Sequence, residues 1–256
     1  MLKSFILILL FLSSNTALAS ENTKTVRLVV GEWEPYTSSF SNPHYKISEE
    51  LVRAAYQTQG YKVIIDHHPW ARAYRYVQTG KYDGTFPWFK TTERESLFIF
   101  STPLFVEEVV FIYHQDSQFH WENIDDLNKY RVGATQAFTA TDYLISQNVN
   151  VTIENSDETN YIKLAKHRID VYPAALKRGD YMLTTLLTKE QSEKLHIHPK
   201  PIMETEMFIM FSLQDIERRK LLSEAFTRGL NMLIDSGQYK EIMEGLPSVS
   251  RQRESR

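Results

Sequence analysis

Short β-branched runs alternate with longer segments whose apolar residues recur at helical spacing. Thr25 to Val30 alternates and is β-branched, which predicts a first strand. It runs into Gly31-Glu32-Trp33-Glu34-Pro35-Tyr36, a polar-aromatic loop at that strand's carboxyl end. Ile47, Leu51, Ala54 and Ala55 mark one helical face, closed by Gly60. Lys62 to Asp66 reads as a second strand with His67-His68-Pro69-Trp70 as its exit loop. An amphipathic helix from about Ala71 to Gln78 turns at Thr79-Gly80 and leads to a third strand, Tyr82 to Phe86. Strand, helix, strand, helix, strand predicts a parallel α/β sheet with right-handed crossovers.

Beyond residue 104 the pattern changes. Phe105 to His114 is a long β-type run, and His114 to Ser117 reads as a crossing into a second lobe. Arg131 to Ala134 is a strand, and Gln136-Ala137-Phe138-Thr139 starts the following helix, where unpaired N–H groups suit a carboxylate. Val149 to Ile153, Ile169 to Tyr172 and His196 to His198 are further strand candidates. Met207 to Ser212 reads as a strand returning to the first lobe, followed by an amphipathic helix from Ile216 to Ile234 and a last short helix from Ser236-Gly237-Gln238-Tyr239. The division this gives is 25–113 plus 204–246 for lobe one, 114–203 for lobe two and 247–256 as a flexible polar tail. Two connecting strands favour hinge closure around a trapped ligand.

The first nineteen residues read as a signal peptide. Lys3 is a short basic start, Phe5 to Leu12 an unbroken apolar run, and Ala17-Leu18-Ala19 a small-x-small site with cleavage after Ala19. An N-terminal anchor is the alternative; the run is too short for a membrane span, and no later segment approaches the needed length. The expected fate of the mature chain is therefore export from the cytoplasm. The chain holds no cysteine, so neither lipid acylation nor a disulfide enters the picture. With 29 basic against 32 acidic residues it is mildly acidic, which argues against nucleic acid or an anionic membrane surface as a partner.

The chemistry concentrates between Pro69 and Phe105. There the third strand delivers Pro87, Trp88, Phe89 and Arg94 just beyond its carboxyl end, where open α/β sheets bind small ligands. Aromatic faces with one fixed cation describe a recognition surface, because Arg is rarely buried without an anionic partner. Catalytic and metal signals are sparse. His67 and His68 are adjacent, so their rings point to opposite faces of a strand, and His196-x-His198 lacks a third ligand nearby. No Gly-x-Ser-x-Gly elbow, phosphate loop or metalloprotease helix is present. Neither a metal nor a cofactor is expected.

The ordered set W-x-R-x(7)-G-K-Y-D from Trp70, T-T-E-R-E from Thr91 and F-S-T-P-L-F from Phe100 resembles bacterial extracellular solute-binding proteins of family 3, the polar amino-acid-type receptors of ABC importers. The resemblance implies a two-lobe, type II periplasmic-binding-protein-like α/β fold, each lobe a mostly parallel sheet flanked by helices, with a two-strand hinge. It implies that Arg94, in Thr91-Thr92-Glu93-Arg94, grips a ligand carboxylate through two parallel hydrogen bonds. Trp70 matches the aromatic of the pocket wall and Glu32 an acidic ligand-binding position, with Trp33 and Tyr36 beside it. Gln136 and Thr139 would add polar contacts from lobe two, and Asp170 would fix a turn as the family's R-x-D does.

The departures matter as much. The family's hydroxyl before T-x-x-R is Phe89 here, its small Gly two residues earlier is Pro87, and its G-T turn is Ala137-Phe138. The acid that holds the α-amino group falls on Ala175. Such a pocket is more apolar and aromatic than that of a free amino-acid receptor. The resemblance thus implies a monomeric periplasmic protein, not an enzyme, capturing a small carboxylate-bearing solute in the inter-lobe cleft for an ABC-type importer. The partner would be a membrane permease or a sensor receptor. A small-acid dehydratase-like enzyme with Glu32 as general acid or base, and a stand-alone sensory module, are the alternatives.

Overall fold

The computed structural model describes residues 24–40 and 46–244, so the expected leader and polar tail lie outside the described residues. β1 (Lys24–Val30), β2 (Tyr61–His67) and β3 (Gly84–Trp88) pair in parallel in the order β2-β1-β3, with α1 (Ile47–Gln57) and α2 (Trp70–Gln78) as crossovers. α3 (Thr92–Leu97) and the short β4 (Phe98–Phe100) follow. β5 (Phe105–His114) then leads into β6 (Val132–Thr135), α4 (Thr139–Ser146), β7 (Val151–Glu154), α5 (Asp157–Ala165), β8 (Val171–Ala175), α6 (Leu176–Thr185) and α7 (Lys189–Glu193). β9 (Leu195–Ser212) runs back, and α8 (Ile216–Asp235) and α9 (Gln238–Glu244) close the chain.

The sheet path is β2-β1-β3-β9-β5-β8-β6-β7, with β4 paired to β9 off the path. Parallel pairs sit toward both ends of it, and β5 and β9 pair antiparallel across the middle, from Phe105 opposite Met207 to His114 opposite Leu195. These two strands join the two α/β lobes. Among the described residues no helix is long and apolar enough to cross a membrane.

Alternation builds the first lobe. Val26, Leu28 and Val30 turn one face of β1 toward Leu51, Val52 and Ala55 of α1 and Leu222, Phe226 and Leu230 of α8. Val29 turns the other way, to Ala73 and Val77 of α2 with Tyr82, Phe98 and Met210. Each buried Val, Leu, Phe or Met among these contributes roughly 1.5–3 kcal/mol. α1 and α8 approach so closely at Gly229 that a Cβ there would strike the Ala55 carbonyl. Asp83, buried, ties the layers together: it accepts from the Arg27 backbone N–H (2.7 Å) and pairs with Arg219. The second lobe packs Ile112, Tyr161, Leu164 and Tyr172 on one side of its sheet, and Phe111, Phe119, Trp121 and Leu127 on the other.

Several elements lie elsewhere than periodicity placed them. The third strand is shifted two residues, so Pro87 and Trp88 belong to β3 rather than to the loop beyond it. The reason is that Tyr82 packs with α2 and Asp83 bonds across to Arg27 and α8, which holds both before the ladder begins. His196–His198 and Met207–Ser212, read as two strands, are one strand of 18 residues. Its polar, Pro-containing middle pairs with β5 through register shifts at Val109/Val110 and Val110/Ile112, and a bulge accommodates a residue without an N–H. The Asp170 carboxylate does hold a turn: it accepts from Arg131 (2.7 and 2.9 Å), which reaches it from just before β6, and lies 3.0 Å from Nε2 of His167.

Candidate functional site

The carboxyl ends of β1 and β3 carry the aromatic surface. Trp70 opens α2 and lays its indole over Gly31, where a Cβ would run into the ring; its Nε1–H donates to the Glu32 carbonyl (3.1 Å). Trp88, the last residue of β3, meets Trp70 edge to face (5.2 Å between centroids) and donates its Nε1–H to Thr85 Oγ1 (3.0 Å). Both indoles are thereby fixed in orientation. Pro87 beside them is buried, and Phe89 is half-buried against the lobe-one core.

Arg94 sits against this surface. Thr91 caps α3 by accepting from the Arg94 N–H (3.2 Å), which fixes where the side chain leaves the helix. The guanidinium carbon lies 4.2 Å from the Phe89 ring centre and 4.7 Å from that of Trp88, and one terminal nitrogen donates to the Phe89 carbonyl (3.0 Å). Among the described residues no carboxylate stands within ion-pair distance of it. Burial lowers its pKa, opposed by Tyr74, Glu93 and Asp142. Asp142 belongs to α4, so the second lobe's charge reaches Arg94 across the seam.

The structure thus gathers Trp70, Trp88, Phe89 and Arg94 on one face. It disperses the other residues singled out from sequence. Glu32 is exposed, and both its carboxylate oxygens accept from the Ser39 N–H (3.0 and 3.1 Å). Trp33 is half-buried and stacks on Tyr36 (4.5 Å, 28°). Tyr36 is a core residue instead of a surface one, since its ring stacks on Phe105 (5.0 Å) and its hydroxyl donates to Glu107. Gln136, exposed, precedes α4 and donates its backbone N–H to the Glu154 carbonyl, while Thr139, half-buried, is the first residue of α4.

The seam between the lobes holds groups that sequence reasoning missed. Arg178 of α6, 5% exposed, donates Nε–H to Asp157 (2.8 Å), one terminal nitrogen to Asp157 and Glu158 (3.2 and 3.1 Å), and the other to the Glu34 carbonyl and carboxylate (2.9 and 3.2 Å). Glu34 lies on the loop after β1, so this guanidinium bridges the lobes. Burial alone would lower its pKa, but the bonds and charge of Asp157 outweigh that, and the net shift is upward.

Ala175, the N-cap residue of α6, carries no acid, yet a carboxyl arrives there from β5. Glu107 has the backbone N–H groups of Lys177 and Leu176 directed at it, and burial pushes its pKa up to about 8 against the lowering effect of Lys177. No spacing in the sequence marks these groups, because each partner comes from a different segment.

The histidines noted from sequence are engaged separately. His67 Nε2 lies 2.9 Å from Glu49, His68 packs on Tyr76, and His198 Nδ1 accepts from Trp121 and from the Lys200 N–H.

Comparison with known proteins supplies the remaining constraint. The family model described as bacterial extracellular solute-binding proteins, family 3, matches residues 29–245. No curated sequence matches the chain. Among solved structures, a histidine kinase sensor domain with similarity to periplasmic binding proteins is 20% identical, with a TM-score of 0.69 over 86% of this chain and 95% of that one. A variant of the arginine-binding protein from T. maritima is 17% identical (TM-score 0.67; 86% and 94%). The ligand-binding core of GluR0 from Nostoc punctiforme, solved with L-glutamate, is 19% identical (TM-score 0.66; 86% and 98%). At these identities the likeness establishes the fold.

Proposed function

The chain belongs to the bacterial extracellular solute-binding proteins of family 3, and on that premise we propose that its lobes close over a small solute bearing a carboxylate and an apolar or aromatic body. The observation that carries this reading is Arg94, a guanidinium laid against Trp88 and Phe89 with no carboxylate paired to it among the described residues. A planar cation so placed suits the two oxygens of a carboxylate. The fixed indoles of Trp70 and Trp88 suit a ring or alkyl group beside it. Ala175 supplies no acid for an ammonium group, and Glu107 occupies the neighbouring helix N-terminus, so an α-amino group finds no ready partner there.

Gln136 and Thr139 complete the site from the second lobe, at the start of α4. The lobes hinge on β5 and β9, between the Phe105–Met207 pair packed in lobe one and the Ile112–Ile197 pair packed in lobe two, and closure follows from solute contacts that only the shut form makes. The chain is exported by its leader, works as a monomer in the periplasm without catalysis, and delivers its solute to an ABC-type permease or signals its closed state to a membrane sensor.

Titration calorimetry tests the solute class. Benzoate, phenylacetate and indole-3-acetate are the probes, with glutamate and arginine as comparators. Ring-bearing carboxylates are expected to bind more tightly than the free amino acids. Arg94→Ala is expected to weaken them by about tenfold to a hundredfold, the worth of charge-assisted hydrogen bonds at roughly 1.5–3 kcal/mol. Equal binding of the amino acids, or carboxylate affinity untouched in Arg94→Ala, would overturn the proposal.

A further inference from the structure

The far pole of the second lobe, remote from the seam, brings together three groups from two separate segments. His114 ends β5, Asp116 follows in a short 3-10 helix (Gln115–Ser117), and His167 occupies the turn between α5 and β8. Each offers one ligand atom, and the three atoms lie within 4.8 Å of one another. We propose that His114, Asp116 and His167 form a binding site for a divalent transition-metal ion of the zinc class. It is independent of the solute site.

The arrangement is held from behind. The His114 N–H donates to the Asp170 carbonyl (3.1 Å), the Gln115 N–H to the Lys194 carbonyl (2.8 Å), and the Ser117 hydroxyl to the Asp170 carbonyl (3.1 Å). These bonds fasten the 3-10 turn to the residues just before β8 and β9. His114 is buried, with 3% of its surface exposed, while His167 and Asp116 open progressively to solvent and leave an entry path. Behind His167 stands Asp170, 3.0 Å from its Nε2 and itself clamped by Arg131, the outer carboxylate that orients metal-ligating imidazoles.

The local geometry sets two ligand atoms side by side. His114 Nδ1 accepts from the Asp116 N–H (3.2 Å), so it carries no proton, and the Asp116 carboxylate oxygen lies 3.5 Å from the same nitrogen. Without an ion the Nδ1 lone pair is met by that N–H, and an ion seated between nitrogen and carboxylate would engage both atoms at once. Ligands on a tetrahedral ion with bonds of about 2.1 Å stand about 3.4 Å apart, so the pair is already spaced for one. Imidazole, imidazole and carboxylate is a donor set for zinc, nickel or copper rather than for calcium or magnesium, which take oxygen alone. The His114 and His167 rings are parallel (10°) with centroids 4.4 Å apart. Capture therefore turns one ring out of the stack, and His167, the more exposed, is the one with room to move.

The test is calorimetric titration of Zn2+, and separately Ni2+, into the purified chain carrying no histidine tag. One ion per chain is expected, with a rise in melting temperature on addition. His167→Asn removes the imidazole while keeping a residue that tolerates the left-handed backbone at position 167 (φ 50°). It is expected to lower the affinity about a hundredfold and to abolish the thermal shift. Asp116→Ala, at an exposed position, is expected to lower it about tenfold. Absence of stoichiometric binding overturns the inference, as does binding that survives intact in His167→Asn. Solute affinity measured on the same variants is expected to stay unchanged, which separates failure here from failure of the proposed function.

Discussion

Two arginines border the seam, one in each lobe, and their surroundings are opposite. Arg94 lies on rings, donates to a single carbonyl and is paired with no carboxylate among the described residues. Arg178 is enclosed by Asp157, Glu158 and Glu34 and makes five hydrogen bonds to them. Burial lowers the pKa of the first and is overcome by paired acids at the second. The difference separates structure from recognition: a guanidinium whose acceptors all come from its own chain is committed to the fold. One that the fold has positioned but not paired is open to an anion from outside.

The largest expected effect comes from breaking the committed member. Arg178→Ala strands the buried carboxylate of Asp157 and cuts the tie to Glu34, and losing one partner of a buried ion pair costs about 3–5 kcal/mol. Urea denaturation of both alanine variants measures the contrast. Arg178→Ala is expected to lose several-fold more stability than Arg94→Ala, and equal losses would erase the distinction drawn between them.

A second experiment sharpens the same contrast through pH. Not every acid at the seam is ionised: Glu107 keeps its proton up to about pH 8 in the folded chain, against a reference value of 4.5. Between those limits the folded form binds the extra proton. Glu107 therefore contributes its full stability below about pH 4.5, and loses it as pH rises through 8. At 1.36 kcal/mol per pH unit the contribution is on the order of 5 kcal/mol. Urea midpoints at pH 5 and pH 9 are expected to fall with pH in the native chain and to fall much less in Glu107→Gln. Parallel slopes would mean that the carboxyl is ionised where it lies.

The asymmetry between the arginines also explains what was legible in the sequence. α1, α2 and α8 announce themselves because one face of each is apolar at helical period, and β1 and β5 because each is a β-branched or aromatic run buried on both faces. The cation at Arg94 was visible because its neighbours in sequence, Trp88, Phe89 and Thr91, are also its neighbours in space. Arg178 draws on residues 20 and more than 140 positions away, and a local pattern carries no trace of such pairings. The same limit applies to His114 and His167, whose approach depends on β5 lying beside β8. Tyr36 was misplaced for a different reason. Its polar-aromatic loop looks solvent-facing, but the hydroxyl finds Glu107 inside, so the ring is buried at no hydrogen-bonding loss.

The smallest expected effect tests whether Arg94 is as unengaged as its contacts make it. Asp142, exposed in the first turn of α4, is among the described residues the one second-lobe group that raises the Arg94 pKa, and it does so without an ion pair. It therefore competes weakly with any incoming carboxylate. Removing the charge in Asp142→Asn is expected to raise affinity for the probe carboxylates by about twofold to fivefold, within the 1 kcal/mol typical of exposed pairs. The gain should shrink in 0.5 M salt, where the screening length falls below about 5 Å. The helix loses a favourable N-terminal acid, so stability should drop by about 0.3–1 kcal/mol while affinity rises, and the two changes are read separately. A fall in affinity would reverse the assignment: Asp142 would then be holding a positive group of the solute, and the second lobe would recognise charge as directly as the first.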